Sequence, residues 1–170
     1  RDYVHLVARG LTPSGGAAPA VMVKNIAGFE REYATFDVEK NLKDAFDFRP
    51  DLVVVAIGEN VPALASAEAK ARFHESLRKL LRGLTSGNSP RIVVRSCFWP
   101  NKAKDEILRQ ACGEVGGTFV DIAALAKDEA NYARSERSFP HAGVAAHPGD
   151  RGMQAIADAI LASIRSQLAR

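Results

Sequence analysis

Apolar residues recur along this chain with two different periods, and the alternation between them sets the order of elements. Val4, Val7, Ala8 and Leu11 fall at helical spacing and the pattern stops at TPSGG, so a helix comes first and a loop follows. Residues 20–25, AVMVKN, read as a short β-branched strand, and residues 36–46 place Phe36, Leu42 and Phe46 on one helical face. DLVVVAIG at 51–58, directly after Pro50, is the continuous apolar run of a strand covered on both sides. Phe73, Leu77, Leu80, Leu81 and Leu84 then mark a long amphipathic helix ended by Gly87 and Pro90. RIVVRSCF at 91–98 is the next strand, KAKDEILRQACGEV at 102–115 a helix closed by Gly116 and Gly117, and TFVDI at 118–122 a last strand. From about 124 to 146 no period holds, which is long for an idle loop and points to the border of a site. The final helix has Met153, Ile156, Ile160, Ile164 and Leu168 on its core face, with Asp150 read as its cap.

Strands separated by helices of this length are joined by crossovers, so the expected fold is a three-layer α/β/α arrangement around a parallel sheet. In such sheets ligands bind beyond the carboxyl ends of the strands. The positions to inspect are therefore 25–30, 58–61, 96–101 and the stretch after Ile122 that leads to His147. With 170 residues, 46% hydrophobic and 25% charged, the chain has the makeup of a single domain over 1–170.

Charge and composition then remove several classes. The net charge is +3, and the 23 basic residues are interspersed with 20 acidic ones, so no stripe for a nucleic-acid backbone is present. No apolar run approaches the roughly 18 residues of a membrane span, and the N-terminus has no signal-peptide core. Cys97 and Cys112 match neither zinc spacing nor a CxxC motif and are expected to be buried thiols. His5, His74, His141 and His147 are scattered, no metal cluster is visible, and no GxGxxG or Walker pattern occurs, so no metal or cofactor is implied.

Two short motifs carry candidate chemistry. Gly58 allows a sharp turn after the central strand and Asn60 then projects an amide whose NH2 can donate to a developing negative charge; the plainer alternative is a turn-capping Asn. His147 stands before Pro148 at the mouth of the last helix, where an imidazole can exchange a proton near neutral pH; the alternative is a loop histidine with no task. In this order and spacing, GEN at 58–60 and HPGDRGMQAIADAI at 147–160 resemble the SGNH/GDSL hydrolase family over about residues 1–165. The resemblance implies a flavodoxin-like parallel sheet, Asn60 as oxyanion-hole donor and His147 as general base. It also implies a second donor block on NIAGFE at 25–30, where Asn25 matches, Ala27 stands in the place of the usual glycine and Gly28 follows one position later. A backbone N–H from Ala27 or Gly28 is the expected donor there, with Gly58 lining the same substrate-binding region.

Two departures from the family pattern shape the expectation. The aspartate usual three residues before the histidine is Val144 here, which implies a Ser-His dyad whose Nδ1 is held by a backbone carbonyl or by an acid from elsewhere. The family serine follows a first strand, and no such strand precedes Arg1; Ser14, Ser89 and Ser96 read as structural. The strand and its serine are therefore expected from an upstream segment or a second chain, filling the sheet between the strands that end at Asn25 and Gly58. The implied activity is hydrolysis of short acyl esters, with O-acetyl groups on carbohydrate preferred; Phe29, Phe98 and Trp99 read either as core aromatics or as a sugar-stacking wall, and His141 either as a solvated loop residue or as part of the same mouth. A glycan substrate would favour a secreted or periplasmic location. The alternative from another class is a serine-less relative that binds a glycan or partner without cleaving it.

Overall fold

Among the described residues the three strands of the sheet are short and pair in parallel, with helices between them. A computed structural model describes residues 2–168. They form two compact units, one of residues 2–21 with 122–168 and the other of Met22–Asp121.

The second unit carries the sheet. β1 (Leu52–Val55), β2 (Arg91–Arg95) and β3 (Thr118–Val120) lie in the order β1-β2-β3, with Val53 opposite Ile92 and Val94 opposite Phe119. Between β1 and β2 runs α5 (Ala67–Thr85), and between β2 and β3 runs α6 (Lys102–Glu114), so each parallel pair is joined through a helix as the connection requires. Ser66 starts α5 by accepting the Ala69 N–H at 3.0 Å, and Asn101 starts α6 by accepting the Lys104 N–H at 3.2 Å. The apolar face that repeats at three and four residues in α5 is buried as expected: Phe73, Leu77, Leu80 and Leu81 are sealed against Val55, Ile92, Val94 and Leu108. Mixed α/β architecture with a three-stranded parallel sheet flanked by helices is therefore what the chain adopts.

Two expectations fail in this unit. Residues 20–25 form no strand, although their composition favours one; Val21 is 51% and Val23 69% exposed. A strand exists only where a neighbouring backbone completes its hydrogen bonds, and β1 and β3 are the edges of the described sheet. The helix expected over 36–46 is two short ones, α3 (Val38–Asn41) and α4 (Lys43–Phe48), because the chain turns at Leu42, whose side chain is buried in the core. An additional helix, α2 (Ala27–Glu32), precedes them and buries Phe29 and Glu30.

In the other unit, α1 (Tyr3–Leu11) packs along α8 (Asp150–Leu168). Ile156, Ile160 and Ile164 are buried on α8 as the period requires, Met153 is half-buried, and the Leu168 side chain lies outside the described residues. The aperiodic stretch is a run of 3-10 turns at Ala123–Lys127, Glu129–Asn131 and Ala133–Ser135, followed by α7 (Ala142–Ala145). Asp150 lies in the first turn of α8, and it is Glu136 that caps the helix, accepting the Arg151 N–H at 3.0 Å. No helix among the described residues is long and apolar enough to cross a membrane.

Candidate functional site

In the loop that follows β1, four backbone polar groups are claimed by two buried side chains, Glu30 and Lys104. Glu30, on α2 and only 5% exposed, accepts the Gly58 N–H at 2.7 Å and the Asn60 N–H at 3.1 Å on Oε1, and the Asn60 side-chain Nδ2 at 2.8 Å on Oε2. From the opposite chemistry, the buried Lys104 ammonium donates to the Gly58 carbonyl at 3.0 Å and to the Val61 carbonyl. Buried N–H and C=O groups cost free energy unless paired, so a turn that cannot join the sheet ladder is stabilised by one acidic and one basic side chain instead. Gly58 itself has φ +124°, and a Cβ there would stand 2.5 Å from the Cys97 sulfur.

Glu59 ties this loop to the end of β2. Its Oε1 accepts from Arg95 Nη1 at 2.9 Å and from the Phe98 N–H at 3.1 Å, while Arg95 also donates to the Ser96 carbonyl at 2.8 Å. Burial pushes the Glu59 carboxyl toward its neutral form, but the Arg95 charge and hydrogen bond, with the Phe98 N–H, outweigh that and hold it below the ordinary glutamate range. A carboxyl lowered on folding stabilises the fold above its unfolded pKa, near 4.3, and that contribution is lost as the pH falls through the lower folded value. Glu59→Gln is accordingly expected to cost about 3 kcal/mol at pH 7, by leaving a mostly buried guanidinium without its counter-charge. In guanidinium-chloride unfolding the difference from wild type should shrink by pH 3. Equal stability of the two proteins at pH 7 would mean that the pair contributes nothing.

Asp105 completes the frame, accepting the Cys97 N–H at 2.8 Å and the Asn101 N–H at 2.9 Å on its two oxygens. Between the loops after β1 and β2 lies a cavity of about 250 Å³, lined by Gly58, Glu59, Cys97, Trp99, Asn101 and Lys104. Both cysteines are free and buried. Desolvation, then the Glu59 and Asp105 charges, push the Cys97 thiol well up, and desolvation pushes Cys112 up to about 11. Both shifts favour the neutral thiol over the thiolate.

His147 belongs to the other unit, at an exposed position held by the backbone on either side. Its carbonyl accepts the Ala133 N–H at 2.8 Å, the Gly149 N–H donates to the Asn131 carbonyl at 2.9 Å, and Tyr132 and Pro148 form an antiparallel bridge. The aperiodic stretch is thus the clamp for the His-Pro turn. Nδ1 lies 2.6 Å from the Gly143 carbonyl oxygen. A carbonyl only accepts, so Nδ1 donates in this contact, and in the neutral ring the lone pair is then on Nε2.

The remaining sequence candidates are distributed as follows. The Ala27 N–H donates to Asn25 Oδ1 at 2.9 Å, and Gly28 lies in the first turn of α2. Asn60 and Gly58 are brought together with Glu30, which the sequence reading did not single out. Ser96 is fully buried, with its hydroxyl 3.3 Å from the Cys97 carbonyl, and Ser89 occupies a turn at φ +50°. Phe29 and Phe98 are core residues, whereas Trp99 reaches the surface at 36% exposure, edge-on to Phe98. His141 is exposed ahead of α7. Among the described residues no cluster of His, Cys, Asp and Glu is arranged to hold a metal ion. No family model, curated protein or solved structure matches the chain.

Proposed function

We propose that this chain supplies the general base and an oxyanion donor of a serine-type ester hydrolase of the SGNH kind, acting on short acyl esters such as O-acetyl groups on carbohydrate. The observation that carries the reading is the 2.6 Å approach of His147 Nδ1 to the Gly143 carbonyl, which leaves Nε2 as the proton acceptor without the usual aspartate. In this reading Nε2 takes the proton of a serine hydroxyl and the alkoxide adds to the ester carbonyl. The tetrahedral oxyanion is stabilised by an N–H of the Asn60 amide, and the imidazolium returns its proton to the departing alcohol. Water then releases the acyl group by the same steps. The geometry of Ser89 and Ser96 assigns neither to the nucleophile, and the reading takes the serine from outside this stretch of chain. Trp99, the exposed aromatic beside the cavity, supports a sugar as the acyl carrier.

Asn60→Ala in the full-length protein is expected to lower kcat on p-nitrophenyl acetate by about 10²- to 10³-fold, with KM within about twofold. A kcat within twofold of wild type would remove Asn60 from the oxyanion hole.

A second reading, a serine-less glycan- or partner-binding domain, is favoured by a different observation. The Gly58 and Ala27 N–H groups are both spent on internal acceptors, which reduces the donors left for an oxyanion. A serine-directed phosphonate separates the two. One covalent adduct per chain by intact mass, with loss of p-nitrophenyl acetate hydrolysis, supports the hydrolase. No adduct and no hydrolysis supports the binder.

A further inference from the structure

We infer that Glu30 is the positioning residue for Asn60: its buried carboxylate decides which way the Asn60 amide faces and directs one N–H of that amide away from the fold. The inference rests on the hydrolase reading for its purpose, though not for its geometry. The two ends of an asparagine amide have nearly the same shape, so packing alone does not choose between them. A carboxylate does choose, because it only accepts. With Glu30 Oε2 2.8 Å from Nδ2, the reversed amide would set Asn60 Oδ1 against a negative oxygen, and that orientation is excluded.

Glu30 is itself immobilised by the same loop. Its Oε1 is held by the Gly58 N–H at 2.7 Å and the Asn60 N–H at 3.1 Å, and at 5% exposure little water competes for it. Side chain and loop therefore fix each other. Of the two N–H bonds on Asn60 Nδ2, one is spent on Glu30, and the trigonal nitrogen points the other away from the carboxylate, on a residue that is exposed. An oxyanion donor is effective when its orientation is set before the charge develops, and a buried acceptor-only partner sets it.

Glu30→Gln separates this from a merely structural role. Gln keeps the size, but with its carbonyl on the Gly58 and Asn60 N–H groups it presents an NH2 to the Asn60 side chain, which then turns Oδ1 inward and no longer holds Nδ2 in its original direction. In the full-length protein kcat should fall about 10- to 100-fold with KM within twofold, and the same substitution in an Asn60→Ala background should cost no more than about twofold further. An equal loss in both backgrounds would overturn the inference, since Glu30 would then act by another route. A readout on the unsubstituted protein needs neither activity nor a folded variant. The two Asn60 side-chain amide protons should give separate NMR signals, one shifted downfield and slow to exchange with solvent, the other fast. Two fast-exchanging signals at free-asparagine positions would overturn the inference. If the slow proton is seen and Asn60→Ala leaves kcat unchanged, the hold of Glu30 on Asn60 is supported and the hydrolase role of Asn60 is what fails.

Discussion

His147→Ala is expected to lower kcat for acetyl-ester hydrolysis by the full-length protein by about 10⁴-fold or more, with KM changed by less than about threefold. In the proposed hydrolase reading the substitution removes the group that moves the proton off the nucleophile and back onto the leaving alcohol, so both chemical steps lose their base while ground-state binding does not depend on it. The fold should barely register it: His147 is exposed, and its side chain contributes a hydrogen bond to Gly143 that is worth about 1 kcal/mol. Unchanged thermal unfolding combined with a collapse in turnover is the expected pair of results. Activity within tenfold of wild type would show that the reaction runs without this imidazole. Because the orienting partner is a neutral carbonyl and not a carboxylate, the imidazolium gains less from its hydrogen bond than in a full triad. Replacing Val144 by Asp is not expected to repair this unless the new carboxylate displaces the Gly143 carbonyl from Nδ1.

Gly58→Ala is expected to cost about 4 kcal/mol of folding stability, measured as a lower denaturant midpoint at unchanged slope. Two penalties coincide there. A backbone at φ +124° is open to glycine and strained for alanine, and the added methyl would sit 2.5 Å from the Cys97 sulfur. The loop has no easy retreat, because its N–H is bound by Glu30 and its carbonyl by Lys104, and moving away would leave buried polar groups unpaired. Gly87→Ala is the control. That glycine has φ +93° but open space around it, so it should show the conformational penalty alone, about 1 kcal/mol. Equal losses at the two positions would mean that the Cys97 contact and the Glu30 and Lys104 bonds add nothing.

Much of the second unit was legible in the periods of the chain. The apolar run at 51–58 contains β1, the spacing of Phe73 through Leu81 is the buried face of α5, and the glycines at 116–117 close α6. These features survive because a period reports which side of an element meets the core, and that information is carried by neighbouring residues. The strand expected at 20–25 did not form because strandhood is a property of a pair, and no described strand pairs with it. Glu30 escaped notice for a related reason. A glutamate in a short helix looks like any solvated charge until the loop 28 residues later is folded over it. Arg95, Glu59 and Lys104 are hidden in the same way, since a buried ion in a sequence is indistinguishable from an exposed one.

By itself the amino-acid order determined the alternation of helix and strand from β1 to β3, the buried face of α5, the burial of both cysteines, and the placing of a His-Pro at the start of α8. Only the tertiary structure decided that a backbone carbonyl stands at His147 Nδ1, and that a buried carboxylate and a buried ammonium share the turn at Gly58. The division follows from range. Capping and amphipathic facing are settled within a few residues, whereas the partner of a buried polar group is whichever one the folded chain brings within about 3 Å, and no local pattern names it.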